Sequence, residues 1–306
     1  MGMTENTKML IKALSENDLK RAKAAAFACL AEDNTSKNAA FCERYKQILN
    51  SNTMTLTELP YNIKNFVIAE DVCQTLIPER LYISEREQKV VELIKKKAKV
   101  AQEMKKLKIS YLNSVLLYGE SGTGKTTFGR YIAYFLNKPF LYLNFSRLID
   151  SHLGATSKNI GLVFDYIRGN DCVLMLDEID CIGYSRTNAQ NDVTEMQRVT
   201  IGLMQDLDRL SNDVVVIGAT NLYNCLDKAL VRRFAVKHEV LYLNRCEREK
   251  LVMSYLSSVG MEMPENTINE LCEKHQKQAE LIDAVVNWIA DYILQNTGIG
   301  EEFNEN

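Results

Sequence analysis

The chain has 306 residues, 46% of them hydrophobic and 25% charged, with only four prolines. That is apolar material for about two packed domains and excludes a fibrous or largely disordered chain. A formal charge of −3 and a pI near 5.8 give no general pull toward nucleic acid. With neither a basic leader followed by an apolar core nor a run of about 18 apolar residues, the expectation is a cytoplasmic protein without a membrane anchor. Eight scattered cysteines without a C-x-x-C pair read as reduced thiols, and His152, His238 and His275 show no metal spacing.

In chain order, Met9, Leu10 and Leu14, then Leu19, Ala22, Ala26, Cys29 and Leu30, then Phe41, Tyr45 and Ile48 repeat at helical spacing. They predict a helical N-terminal domain over residues 1–52, either a recruiter of partners or substrates or a packing element. The polar turn residues Ser51–Thr55 and the Leu59-Pro60-Tyr61-Asn62 interruption mark residues 53–82 as a linker. Ser84-Glu85-Arg86-Glu87 then opens a charged helix with a serine cap and early acids. It carries Lys95, Lys96, Lys97, Lys99, Lys105, Lys106 and Lys108 toward its end, read as a solvated face rather than a nucleic-acid surface.

Residues 83–243 alternate strands at 114–118, 140–144, 172–176, 213–218 and 239–243 with helices at 125–136, 158–168 and 192–210. Such alternation means an α/β core, a parallel sheet with helices on both faces. The first of these strands runs into Gly119-Glu-Ser-Gly-Thr-Gly-Lys-Thr126, the phosphate-loop pattern G-x-x-x-x-G-K-[ST]. The candidate nucleotide-binding residues are Gly119, Glu120, Ser121, Gly122, Thr123, Gly124, Lys125, Thr126 and Thr127. Glycines let successive backbone N–H groups wrap phosphates, Lys125 reaches the β/γ oxygens, and the Thr126 hydroxyl faces Mg²⁺. The loop by itself implies ATP or GTP.

The strand over 172–176 delivers Asp177 and Glu178 at its carboxyl end, where open α/β sheets place ligands. Asp177 is the second candidate metal residue beside Thr126, and Glu178 the candidate base that activates water; the bland alternative is a helix cap with a first-turn charge. A further strand, Asp213-Val-Val-Val-Ile-Gly-Ala-Thr-Asn221, ends on a polar amide, and Leu226-Asp-Lys-Ala-Leu-Val-Arg-Arg-Phe234 follows. From residue 244 the pattern is helical, with Leu251, Val252, Tyr255 and Leu256 closed by Gly260, and later Leu281, Val285, Trp288 or Ile289, and Tyr292. This gives a helical lid over 244–296 and a flexible tail over 297–306.

Taken together, these motifs in this order resemble the AAA branch of the AAA+ ATPases, with the arginine segment similar to katanin and spastin. The resemblance runs from about Tyr82 to Ile293 and implies ATP and Mg²⁺ as the bound species. It also implies roles: Asn221 as the first sensor, Arg232 and Arg233 as fingers acting on a neighbouring subunit's nucleotide, and Lys125 and Glu178 as catalytic groups. His152, Leu153 and Gly154 match the pore loop of substrate-threading relatives, with histidine in the aromatic position; the alternative is that His152 merely ends a helix. Glu120 replaces a proline common in close relatives, and Ala279, with no arginine beside it, matches the second-sensor place of protein-remodelling members.

The expectation is therefore an ATP-hydrolysing homo-oligomeric ring, hexameric with ATP, that remodels or unfolds a protein substrate. No H-E-x-x-H or G-x-S-x-G is present, so a separately encoded peptidase is the candidate partner for any proteolysis. The rivals are a nucleotide-gated assembly switch that recruits a partner without threading it, and a DNA-associated helper ATPase.

Overall fold

A computed structural model describes residues 3–15, 19–32, 38, 41–43, 45–46, 59–60, 62–145, 148, 153–168, 170–182 and 193–297. The chain divides into two units, residues 1–57 and 58–306. In the first, α1 (Glu5–Ser15) packs against α2 (Leu19–Glu32), with Asn6 Nδ2 donating to Glu32 Oε1 at 2.6 Å. The packing face keeps the predicted Ala22 but differs elsewhere. Ala13, Ala22 and Ala25 are buried whereas Met9 and Leu14 are 61% and 56% exposed, because small side chains let two helix backbones approach closely.

The second unit is built on a six-stranded sheet in the order β1-β3-β4-β5-β2-β6. The strands are β1 (Val67–Glu70), β2 (Asn113–Tyr118), β3 (Phe140–Asn144), β4 (Val173–Asp177), β5 (Val215–Thr220) and β6 (Val236–Glu239). Five run parallel in registers such as Val115↔Ile217, Leu174↔Val216 and Leu141↔Leu174. The central strands are buried along nearly their whole length, so they read as continuous apolar runs rather than alternating ones.

Three features correct the sequence reading. β1 lies in the span assigned to the linker and pairs antiparallel with β3 at the sheet edge, so the sheet is not wholly parallel. Four residues with one half-exposed apolar position, Ile68, carry too weak an alternation to be read as a strand. The last strand falls at 236–239 rather than 239–243, because it aligns Val236 to Glu239 beside Val115 to Tyr118, and Val240 N then donates to Tyr118 O at 2.8 Å. The helix predicted at 158–168 starts earlier, at Leu153.

A short helix, α3 (Val72–Thr75), precedes α4 (Glu85–Lys106), which opens with the reciprocal Ser84/Glu87 capping box. Four of its lysines find partners within the chain. Lys97 donates to Tyr111 OH, Lys105 pairs with Asp213, Lys106 with Glu103, and Lys95 lies over the Phe135 ring. The helices α5 (Lys125–Leu136), α6 (Leu153–Ile167), α7 (Val193–Asp208) and the single turn α8 (Lys228–Val231) complete the α/β part. A smaller helical part follows, made of α9 (Arg245–Val259), α10 (Glu265–Lys274) and α11 (Gln278–Thr297). It has its own core of Leu251, Val252, Leu256, Ile268, Leu281 and Val285, onto which Trp288 packs while stacking on Tyr292. Gly260 ends α9 in the left-handed region and bonds back to Leu256 and Ser257 carbonyls. No described helix is long and apolar enough to cross a membrane.

Candidate active site

The strand order places β2, the strand that feeds the glycine loop, between β5 and β6, while the next strand in sequence, β3, lies beyond β4 and β5. Such a switch opens a crevice at the carboxyl ends of the strands. Gly119 leaves β2 with φ +148° under the Val240 carbonyl, so close that a Cβ would stand 2.2 Å from that oxygen. Only glycine fits there. Gly122 and Gly124 also take positive φ, and α5 begins at once with Lys125. The loop thus ends on a helix N-terminus, an anion-binding arrangement.

Lys125 is buried, and its Nζ donates to Gly119 O at 2.9 Å and Glu120 O at 2.8 Å. Burial pushes its pKa down, against the upward pull of Asp177 and Asp180. Gly119 and Glu120 form the root of the loop, while Ser121 through Thr127 line a cavity of about 480 Å³. The acids come from β4. Asp177 Oδ2 accepts from Thr126 Oγ1 at 2.7 Å and from Tyr142 OH at 3.1 Å, and Asp177 Oδ1 accepts from Glu178 N at 2.9 Å. Glu178 holds a left-handed conformation, φ 54°, that turns its carboxyl group out of the strand direction and into the lining of the same cavity.

Asn221, at the end of β5, lines the cavity too. The Thr220 hydroxyl donates to Asp180 Oδ1 at 2.7 Å and accepts from Leu222 N at 2.9 Å, so the backbone on both sides of Asn221 is pinned. Lys125, Thr126, Asp177, Glu178 and Asn221 therefore meet in one cleft, although nearly a hundred residues separate the first from the last.

The description "ATPase family associated with various cellular activities (AAA)" fits a family model that matches residues 115–242, the span from β2 through the end of β6. Residues 115–242 are an AAA domain. Among AAA relatives, Peroxisomal ATPase pex6 of Schizosaccharomyces pombe is 33% identical over 63% of this chain and 23% of its own length. The Uncharacterized AAA family ATPase y4kL of Sinorhizobium fredii is 27% identical over 74% of this chain and 69% of its own length. Proteasome-activating nucleotidase of Methanosphaerula palustris is 37% identical over 46% of this chain and 35% of its own length. The chain thus spans under a quarter of the Schizosaccharomyces pombe relative and about a third of the Methanosphaerula palustris one.

In this AAA core the two arginines of the Leu226–Phe234 segment part company. Phe234 is buried against Gly218, where a Cβ would come within 2.7 Å of its ring, and the Ser114 hydroxyl bridges Arg233 O and Ala235 N. That anchor fixes where both arginines start. Arg233 turns back and clamps Asp208 through Nε and Nη2 at 3.1 and 2.9 Å. Arg232 is exposed, without a bond or ion pair to its side chain among the described residues. Neither lines the cavity of its own chain. His152 lies outside the described residues, and Leu153 and Gly154 form the first turn of α6 rather than a loop.

Of the cavity's other wall, sequence reasoning had named only Ala279 and the lid that carries it. Arg80, Leu81, Tyr82, Ile83 and Glu87 line the cavity from before and within α4, and Leu251, Gln278, Ala279, Ile282 and Asp283 line it from the helical lid. The available signal was the apolar Leu81-Tyr82-Ile83 run directly before the Ser84 cap. Arg80 ties the two sides together, donating to Ser258 Oγ at 3.2 Å with its guanidinium 5.2 Å from the Tyr255 ring centroid. Tyr242 OH bonds Ser121 O at 3.0 Å, and the Lys277 stem covers Gly122.

Proposed function

We propose that this chain is an ATP-dependent protein remodeller, an unfoldase that hydrolyses ATP between the subunits of a homo-oligomeric ring, hexameric when nucleotide is bound. The observation that carries the reading is the separation of Arg232 from the cleft. One chain gathers the phosphate loop, the two acids and Asn221, whereas Arg232 is exposed, outside that lining and without a bond among the described residues, which supports a role at a site other than its own. An inserted arginine can supply roughly three to five powers of ten in phosphoryl transfer, so a cleft that borrows one from a neighbour turns over only when assembled.

Within that reading, Lys125 exchanges the Gly119 and Glu120 carbonyls for phosphate oxygens, which puts an anionic group in direct contact with its buried charge. Glu178 accepts the proton of a water that Asn221 helps to aim at the γ-phosphate. Thr126 and Asp177 are oxygen donors already in contact at 2.7 Å, a hard pair that suits Mg²⁺ bound with waters and phosphate oxygens. Bound there, Mg²⁺ would neutralise charge on the β- and γ-phosphates. Leu153, Gly154 and His152 are read as the segment that meets the protein substrate.

The relatives named for the proteasome and the peroxisome favour a protein as the object of the work, with a separately encoded peptidase as one candidate partner. Eight free thiols suit a reducing setting such as the cytoplasm. The test is ATP turnover per protomer across protein concentration, with Arg232→Ala beside it. Specific activity that climbs with concentration, and a loss of about 10³-fold on the substitution, supports the ring. Turnover that is independent of concentration and of Arg232 withdraws it in favour of a monomeric nucleotide switch.

A further inference from the structure

On β3, strand alternation puts Tyr142 and Asn144 on the same face, and the register sets Asn144 beside Asp177 and Tyr142 one step back beside Met175. The Tyr142 hydroxyl therefore reaches diagonally across to Asp177. It donates to Oδ2 at 3.1 Å while accepting from Asn144 Nδ2 at 3.3 Å. The same Oδ2 takes the Thr126 hydroxyl at 2.7 Å. One carboxylate oxygen is thus held from two sides, by the second residue of the phosphate-loop helix and by a phenol from a strand outside every motif in the sequence. Asp177 Oδ1 is held by Glu178 N at 2.9 Å, which leaves the carboxylate little freedom to rotate.

We propose that Tyr142 is a positioning residue for the metal-binding carboxylate, fixing Asp177 so that it and Thr126 present their oxygens together to the Mg²⁺ that accompanies a nucleotide. The inference rests on the nucleotide-site reading above. A phenol suits the task because it donates one directional bond to a carboxylate without adding charge, so the acid keeps its full attraction for a cation. Asn144, donating to the phenol oxygen, strengthens the donation that follows. Groups of this kind, one step back from a metal ligand, decide whether the ligand is aimed before the metal arrives.

The experiment is a fluorescent mant-ADP titration of the full chain, in EDTA and against rising Mg²⁺, for the parent, Tyr142→Phe, Asp177→Asn and the double variant. The parent should bind nucleotide more tightly with Mg²⁺. Tyr142→Phe should match the parent in EDTA, which also shows that it folds, while its half-saturating Mg²⁺ rises about tenfold or more. In the Asp177→Asn background the phenylalanine should change nothing further, because its effect runs through that carboxylate. An unchanged Mg²⁺ requirement in Tyr142→Phe overturns the proposal, as does an equal loss of affinity in EDTA, which would make Tyr142 a prop for the loop. A parent that binds no nucleotide, or binds it without regard to Mg²⁺, removes the underlying site reading instead.

Discussion

The two walls of the cleft are built on different physics. The strand-end wall is a short polar network in which nearly every group holds another: Thr126 and Tyr142 hold Asp177, Asp177 holds the Glu178 backbone, and Asp180 holds Thr220 beside Asn221. The opposite wall, from Arg80 to Glu87 and from α9 and α11, is mainly apolar, with Leu81, Ile83, Leu251 and Ile282 facing the cavity. Its sides are joined by few bonds, such as Arg80 to Ser258 and Ser254 Oγ to Glu79 O at 2.5 Å. A wall that must stabilise charge is fixed before the reaction, since reorganising dipoles during it would cost rate. A wall that grips a flat ligand by surface needs only complementary shape, and it can open.

Substitutions on either side should separate these roles. The largest effect is expected for Glu178→Gln, which keeps the size of the side chain but removes the proposed base: turnover should fall by about 10²–10⁴-fold while nucleotide affinity is retained. Steady-state hydrolysis beside mant-nucleotide binding reads both quantities, and a matched loss of affinity would make Glu178 part of binding rather than chemistry. Gly119→Ala strikes the root of the loop. Its Cβ would meet the backbone carbonyl of Val240, which cannot swing aside as a side chain does. Stability should drop by about 2–3 kcal/mol in urea unfolding, and an unshifted midpoint would mean that the loop relocates freely.

The smallest effect belongs to Glu87 on the apolar wall. Burial raises its pKa despite the Ser84 bonds that lower it, so the folded state binds its proton more tightly than the unfolded chain. Stability is therefore lost as pH rises from below the usual 4.5 through the raised value, and the full cost is present at neutral pH. Glu87→Gln keeps an acceptor for Ser84 N and should lie within about 1 kcal/mol of the parent at pH 7. Its advantage over the parent should grow with pH through that window in denaturation midpoints taken at successive pH values. A difference that stays flat with pH would assign the shift to another group.

The same contrast explains what was legible beforehand. The strand-end wall was readable because its chemistry sits at fixed offsets from apolar runs: Lys125 after the glycines, Asp177 and Glu178 after Val173 to Leu176, Asn221 after Val215 to Ala219. Strand and helix periods carry such residues to one edge whatever the details of packing. Tyr142 escaped because a tyrosine inside an apolar strand looks like core, and only its diagonal to Asp177 across β3 and β4 gives the hydroxyl a purpose. The edge strand β1 escaped because four residues pair through their backbone, which side-chain pattern barely records.

By itself, then, the sequence determined an α/β core of the AAA type and the acids, amide and lysine that meet in its cleft, since local periodicity and loop chemistry specify them. Tertiary structure alone decided which of two adjacent arginines is held by a partner among the described residues. Arg233 is spent on Asp208, a residue twenty-five positions earlier that α7 carries alongside, while Arg232 is left exposed, and no local rule distinguishes neighbours of identical type. It also decided the apolar wall, because Leu81, Leu251 and Ile282 become neighbours only when the chain before α4 and the lid helices close over the same glycine loop.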